Sequence, residues 1–139
     1  MKSSEIFLKT SRSDWEEVEP GIKRKILGYD GQLMLVQVHF EKGGIGAEHE
    51  HPHSQSTLVA SGVFEITIRG LTQKLEKGDA FYVPPNTLHG AVCLEEGELI
   101  DAFSPVREDF IDKKLMLFVP QNIVQQYSNV FPSPFLDVC

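Results

Sequence analysis

His49-Glu50-His51-Pro52-His53-Ser54-Gln55 is the stretch that decides how this chain is interpreted, because it holds three of the five histidines. In an extended segment, side chains two residues apart lie on the same face, so His49 and His51 point in one direction. Imidazole is a good ligand for zinc, copper, iron and nickel. The stretch therefore indicates part of a metal site. A histidine-rich polar loop would look the same, so the rest of the chain must supply a further ligand.

The composition is that of one globular domain. The chain has 139 residues, of which 41% are hydrophobic and 24% charged, and its formal net charge is -7. A negative balance argues against a nucleic-acid partner and against an anionic membrane surface, since both are bound through Lys and Arg. A small anionic substrate stays compatible with it, because such a ligand responds to the local charge of its site.

The sequence also predicts a cytoplasmic protein. Its first residues lack the apolar core of a signal peptide, and no apolar run reaches the length of a transmembrane helix. The two cysteines, Cys93 and Cys139, form no metal or redox motif with each other. Reduced thiols in a cytosolic protein are the simplest interpretation.

Short alternating segments dominate the chain from residue 22 to residue 103. In residues 33–41, for example, Met34, Val36 and Val38 share one face and His39 lies on the other. Strands are predicted at 22–27, 33–41, 57–60, 63–69, 72–75, 80–83, 89–94 and 99–103, with turns between them, including 61–62 and 95–97. Regularly spaced short strands favour an all-β sandwich or barrel.

The two ends of the chain differ from this pattern. Residues 13–17 are compatible with a short capped helical turn, and residues 108–114 with a short helix. We therefore expect an N-terminal segment at 1–20, a β-barrel at 21–110 and a C-terminal extension at 111–139.

Two spaced motifs give the strands a family resemblance. The first comprises Gly43, His49, His51, Gln55 and Gly62, and the second Gly78, Pro84 and His89. Together they resemble the two motifs of the cupin superfamily. Three positions depart from the usual pattern: Gln55 replaces a glutamate, Asn86 a glycine and Cys93 an asparagine. The resemblance implies a jelly-roll-like antiparallel β-barrel that encloses the site.

A single metal ion is the expected cofactor of such a site. The resemblance implies that His49, His51 and Gln55 come from one side and His89 from a facing strand, around one divalent ion of nickel, zinc, iron or manganese. A neutral glutamine leaves the ion its full positive charge, which favours binding of an anion and non-redox chemistry. The alternative is a hydrogen-bonded polar cluster without metal.

Two other histidines are expected to lie outside the metal coordination. Pro52 interrupts the extended segment, so His53 is interpreted as a residue at the rim of the site. His39 shares its strand face with Gln37 and is interpreted as a polar residue that hydrogen-bonds its neighbours.

A second candidate group lies near residue 100. On a strand, Leu99, Asp101 and Phe103 share a face, and a carboxylate on an apolar face is costly unless it is paired or functional. One interpretation is a general base at Asp101, with Phe103 as a stacking wall and Arg107 as a clamp for a substrate carboxylate. The other is an outward-facing Asp101, or one paired with Arg107. The sequence pattern leaves both open.

A narrower resemblance is to the KdgF family of cupins, which linearise unsaturated monouronates from pectin and alginate. It extends from about residue 15 to residue 110, and it is carried by the runs at 21–27, 38–43, 51–53, 84–86, 92–97 and 107–110. It implies ring opening and keto-enol tautomerisation of a 4,5-unsaturated monouronate, a small anionic sugar acid, to a linear 5-keto-4-deoxyuronate. The implied roles are catalysis by Asp101 and substrate contact by Arg107 and Phe103.

Two other functions are compatible with the same histidines. An Fe(II) cupin dioxygenase would consume oxygen, and a non-catalytic sugar-acid-binding cupin would tolerate substitution of Asp101. A homodimer is the expected assembly, because small cupins often pair through sheet edges, which need covering.

Overall fold

The computed structural model describes residues 3–111 of the chain. Within them the all-β prediction is confirmed. The strands are β1 (Glu16–Glu19), β2 (Ile22–Tyr29), β3 (Met34–Phe40), β4 (Ile45–His49), β5 (Ser54–Ile68), β6 (Leu71–Glu76), β7 (Ala80–Val83) and β8 (His89–Ser104). A 3-10 turn at Thr10–Arg12 precedes them, and helix α1 (Glu108–Ile111) follows.

Every strand pair is antiparallel, and two long strands organise the sheet. The order is β1-β2-β3-β8-β5-β6, with β4 added to β8 and β7 added to β5. The carboxyl half of β8 lies between β3 and β5, whereas its amino half lies between β4 and β5. Strands β5 and β8 thus run through both layers of a jelly-roll, and residues from both layers face one interior.

The turns predicted at 61–62 and 95–97 are wrong, because both segments lie inside continuous strands. The β5–β8 register shifts between Val59 and Phe64, so the strands bend there without ending. A Cβ atom on Gly62, whose φ is +81°, would lie 2.6 Å from the Cα of Gly97. The two glycines allow the backbones to approach closely at the bend.

The secondary structure predicted for the two ends of the chain is partly wrong. The helical turn expected at 13–17 is wrong, since Glu16 begins β1 and pairs in register with Arg24 of β2. Backbone pairing with a neighbouring strand outweighs the local capping preference. The helix expected at 108–114 is present as Glu108–Ile111, and residues 112–114 lie outside the described residues. The extension expected at 111–139 also lies outside them, except for Ile111.

The core confirms the alternation seen in the sequence. Met34, Val36, Val38 and Phe40 of β3 are all 0% exposed. Their apolar surface packs with inward-facing side chains of β5 and β8, such as Phe64. Each such side chain contributes about 1.5–3 kcal/mol by leaving water. Among residues 3–111, no helix has the length and apolar character needed to cross a membrane.

Candidate metal and catalytic site

Three histidines from separate segments meet in the interior. His49 is the last residue of β4, His51 lies in the loop that follows, and His89 opens β8, where it pairs in register with His49. Their potential ligand atoms all lie within 4.8 Å of one another. His51 and His89 are 2% and 1% exposed. The structure therefore brings together the three histidines that the sequence singled out.

The hydrogen bonds of the three rings orient them for metal binding. The Nδ1 atoms of His49, His51 and His89 lie 2.8, 3.1 and 2.9 Å from the backbone carbonyl oxygens of residues 47, 53 and 87. A carbonyl oxygen only accepts, so each neutral ring carries its proton on Nδ1 and presents a lone pair on Nε2. Histidine ligands of metals typically donate their other N–H in this way.

Gln55 completes the donor set. Its Oε1 lies 2.9 Å from Nε2 of His51, and its side chain is 1% exposed. Burial, with Arg107 and His89 nearby, lowers the pKa of His51 to about 3, so the ring is neutral. Nε2 and Oε1 then face each other as two acceptors. A cation that both atoms bind would remove this conflict, and the donor set fits a transition metal ion.

Asp101 lies beside the glutamine, inside the barrel. Its carboxylate is 0% exposed, and its Oδ1 accepts hydrogen bonds from Thr57 Oγ1 at 2.6 Å and Gln55 Nε2 at 3.3 Å. Its Oδ2 is buried and has no hydrogen-bond partner among residues 3–111. Burial raises the pKa of Asp101 to about 7, and the Thr57 hydrogen bond and the charge of Arg107 offset this only partly. The outward-facing alternative is therefore wrong.

Arg107 is also buried, but its ion pair is made with another residue. Its Nε and Nη2 lie 3.1 and 2.8 Å from the two carboxylate oxygens of Asp109. The guanidinium carbon lies 5.1 Å from the ring centroid of Phe103 and 4.2 Å from that of Phe110. The predicted alternative, an ion pair between Asp101 and Arg107, is not formed, because Arg107 pairs with Asp109.

Phe103 packs against His51 of the histidine cluster. Its ring is 2% exposed and lies edge-on to His51, with ring centroids 5.7 Å apart. Leu99, Asp101 and Phe103 share one face of β8, as the alternation indicated, and the structure shows that this is the buried face.

The two remaining histidines behave as expected. His53 does not belong to the cluster of His49, His51 and His89. Its backbone carbonyl oxygen accepts a hydrogen bond from Nδ1 of His51. The two ring nitrogens of His39 lie 3.0 Å from Glu98 and 2.8 Å from Glu96 on the outside of the sheet.

Sequence reasoning missed three polar residues near the site, of which Thr57 and Arg24 are buried and Asp109 is partly exposed. Thr57 hydrogen-bonds both Gln55 and Asp101, Asp109 pairs with Arg107, and Arg24 is 1% exposed. The alternation from Gln55 places Thr57 on the same strand face, and that signal could have found it.

Comparison with known proteins supports the family. The profile described as Cupin domain matches residues 36–102. The pectin degradation protein KdgF of Dickeya dadantii (strain 3937) is 52% identical over 99 residues, which are 70% of this chain and 90% of that protein. The structure of KdgF from Halomonas sp. is 44% identical with a TM-score of 0.73, and the match covers 76% of this chain and 98% of that chain.

An RmlC-like cupin from Shewanella frigidimarina NCIMB 400 is also 44% identical, with a TM-score of 0.77, over 79% of this chain and 99% of that chain. The jelly-roll and its interior histidines thus define a small cupin with the ligands for a metal ion. Within that class, the chain belongs to the KdgF family.

Proposed function

We propose that this protein opens the ring of 4,5-unsaturated monouronates released from pectin and alginate and yields the linear 5-keto-4-deoxyuronate. The observation that carries this proposal is the buried Asp101, whose Oδ2 lacks a hydrogen-bond partner among residues 3–111 and which is linked through Gln55 to the histidine cluster. A carboxylate held in this way is suited to accept a proton from a substrate. Similarity to a pectin degradation protein supports the substrate class.

His49, His51, His89 and Gln55 would hold the cofactor, one divalent ion of nickel, zinc, iron or manganese. When bound, such an ion supplies positive charge that stabilises a substrate carboxylate and a developing enolate. The lone pairs of three imidazoles and one amide oxygen are compatible with each of these metals.

Asp101 acts as the general base. Its Oδ2 takes the proton of the hydroxyl on C1, the electron pair of that O–H bond forms the C1 carbonyl, and the bond between C1 and the ring oxygen breaks. The ring oxygen keeps the electron pair of that bond as the enolate of C5. Return of the proton from Asp101 to C4 then gives the ketone and restores the carboxylate. No electrons leave or enter the substrate, so the reaction is an isomerisation.

Arg107 and Phe103 contact the substrate. The Asp109 pair fixes the Nε and Nη2 edge of the guanidinium, and the adjacent rings limit its movement. The positive charge of the buried Arg107 favours an anionic sugar acid. Phe103 supplies an apolar wall beside His51. A cytoplasmic homodimer, with no nucleic-acid or membrane partner, is part of the same proposal.

The test is an absorbance assay on unsaturated galacturonate monosaccharide with metal-loaded protein. The conjugated double bond should disappear faster with wild-type protein, without oxygen uptake at an electrode. Asp101→Asn should lower kcat by about a hundredfold to ten-thousandfold with metal content unchanged. Glu65→Gln makes the same chemical change on the exposed face of β5 and should have no effect.

Three results would overturn the proposal. Absence of acceleration would favour a binding protein, oxygen consumption would favour a dioxygenase, and full activity of Asp101→Asn would remove the assigned base.

A further inference from the structure

Thr57 is a buried polar residue between the two halves of the site. It lies in the middle of the amino half of β5 and is 1% exposed. It pairs in register with Asp101 of β8, and it follows Gln55 by two positions on the same strand face. The fold thus sets its hydroxyl between a metal ligand and the proposed base.

The hydrogen bonds of this hydroxyl have a fixed direction. Thr57 Oγ1 lies 2.6 Å from Oδ1 of Asp101, where the hydroxyl donates and the carboxylate accepts. Because a hydroxyl has one proton, its oxygen can only accept from Gln55 Nε2, which lies 2.9 Å away.

The same bonds select one orientation of the Gln55 amide. A flipped amide could donate to Nε2 of His51, but its Oε1 would then face Thr57 Oγ1 and Asp101 Oδ1, whose one shared proton already lies between those two oxygens. In the observed orientation, Nε2 donates to both oxygens and Oε1 faces His51 at 2.9 Å. The hydroxyl therefore aims Oε1 at the metal-binding histidines.

Thr57 also leaves one oxygen of the base available. Its hydrogen bond and that of Gln55 both end on Oδ1 of Asp101, which fixes the plane of the carboxylate. Oδ2 is then the oxygen that can take a proton from a ligand.

We propose that Thr57 is a positioning residue that couples the metal ligand Gln55 to the base Asp101 through a single hydroxyl. The expected effect on kcat rests on the proposed function. The expected effect on zinc affinity rests only on the donor set of the three histidines and Gln55. Thr57→Val keeps the shape of the side chain and removes both hydrogen bonds, whereas Thr57→Ser keeps the hydroxyl.

The experiment measures zinc affinity by competition with a chromophoric chelator, and then kcat and KM for unsaturated galacturonate at saturating zinc. Thr57→Val should lose about tenfold to a hundredfold in zinc affinity, as is usual for residues that orient metal ligands. It should also lower kcat with little change in KM, and Thr57→Ser should stay close to wild type. Thr67→Val is the matched control. It removes another hydroxyl of β5, which hydrogen-bonds Thr72 of β6.

Far-ultraviolet circular dichroism and thermal melting establish that each variant is folded, and Thr57→Ala replaces Thr57→Val if the latter does not fold. Wild-type zinc affinity and kcat in Thr57→Val would overturn the inference, as would an equal loss in Thr57→Ser. If wild-type protein does not turn over the uronate, the proposed function fails, and the zinc affinities alone still decide the role of Thr57.

Discussion

Replacing Asp101 with asparagine should stabilise the metal-free protein at neutral and alkaline pH. The carboxylate is 0% exposed, and its Oδ2 has no hydrogen-bond partner within the described part of the chain. An amide of the same shape can keep its oxygen at the position that accepts from Thr57 and Gln55. The substitution therefore removes the cost of a buried charge and preserves the two hydrogen bonds to Oδ1.

The size of the effect follows from the pKa of Asp101, which burial raises from 3.8 to about 7. Between these values the folded protein holds a proton that the unfolded chain releases, so stability falls as pH rises. Above pH 7 both states are ionised and the loss is complete. Each pH unit contributes about 1.4 kcal/mol, and the interval from pH 5 to pH 7 corresponds to about 3 kcal/mol.

The assay is urea unfolding at pH 5 and pH 8, after dialysis against a chelator. The free energy of unfolding of Asp101→Asn minus that of wild type should increase by about 3 kcal/mol between the two pH values. Contributions from groups that the two proteins share cancel in the difference. Glu65→Gln, on the exposed face of β5, is the matched control for the change of a carboxylate to an amide.

A pH-independent difference for Asp101→Asn would refute the reasoning. It would mean that the carboxylate is already ionised in the folded protein at pH 5, and that its neighbours compensate the charge. Asp101 would then be a structural anion, and its assignment as a base of raised pKa would be wrong.

Two further substitutions test the bend and the arginine. Gly62→Ala should lower the free energy of unfolding by at least about 2 kcal/mol, because the new Cβ would lie 2.6 Å from the Cα of Gly97. Gly70→Ala, with a similar φ of +77° and no atom within 4 Å of the new Cβ, should cost less in the same urea assay, and equal losses would contradict the close approach. Arg107→Lys should raise KM for the uronate roughly tenfold, since it removes the two-pronged pair with Asp109. An unchanged KM would exclude Arg107 from substrate binding.

Much of the architecture was predictable because its signals are local. Alternation in β3 identifies the buried face directly, and the four side chains concerned are fully buried. Alternation predicted that His49 and His51 share a face, and the family resemblance added Gln55 and His89 as expected ligands.

The long strands could not be predicted by the same means. Ser61-Gly62 and residues 95–97 have the composition of turns, yet both lie where β5 and β8 bend past each other. Whether a glycine ends a strand or permits close contact depends on what lies opposite, and Gly97 lies opposite Gly62. Alternation could have placed Thr57 on the face of Gln55, but its partner Asp101 follows only from the register of β5 and β8.

Asp109 explains how an arginine and a basic carboxylate can share one interior. A buried Arg107 that paired directly with Asp101 would stabilise the charged carboxylate and lower its pKa. Asp109 instead binds the Nε and Nη2 edge of Arg107. The charge of Arg107 lowers the pKa of Asp101 less than the Thr57 hydrogen bond does, and burial outweighs both. The interior can therefore offer a positive group to an anionic substrate and still keep a carboxylate that accepts a proton near neutral pH.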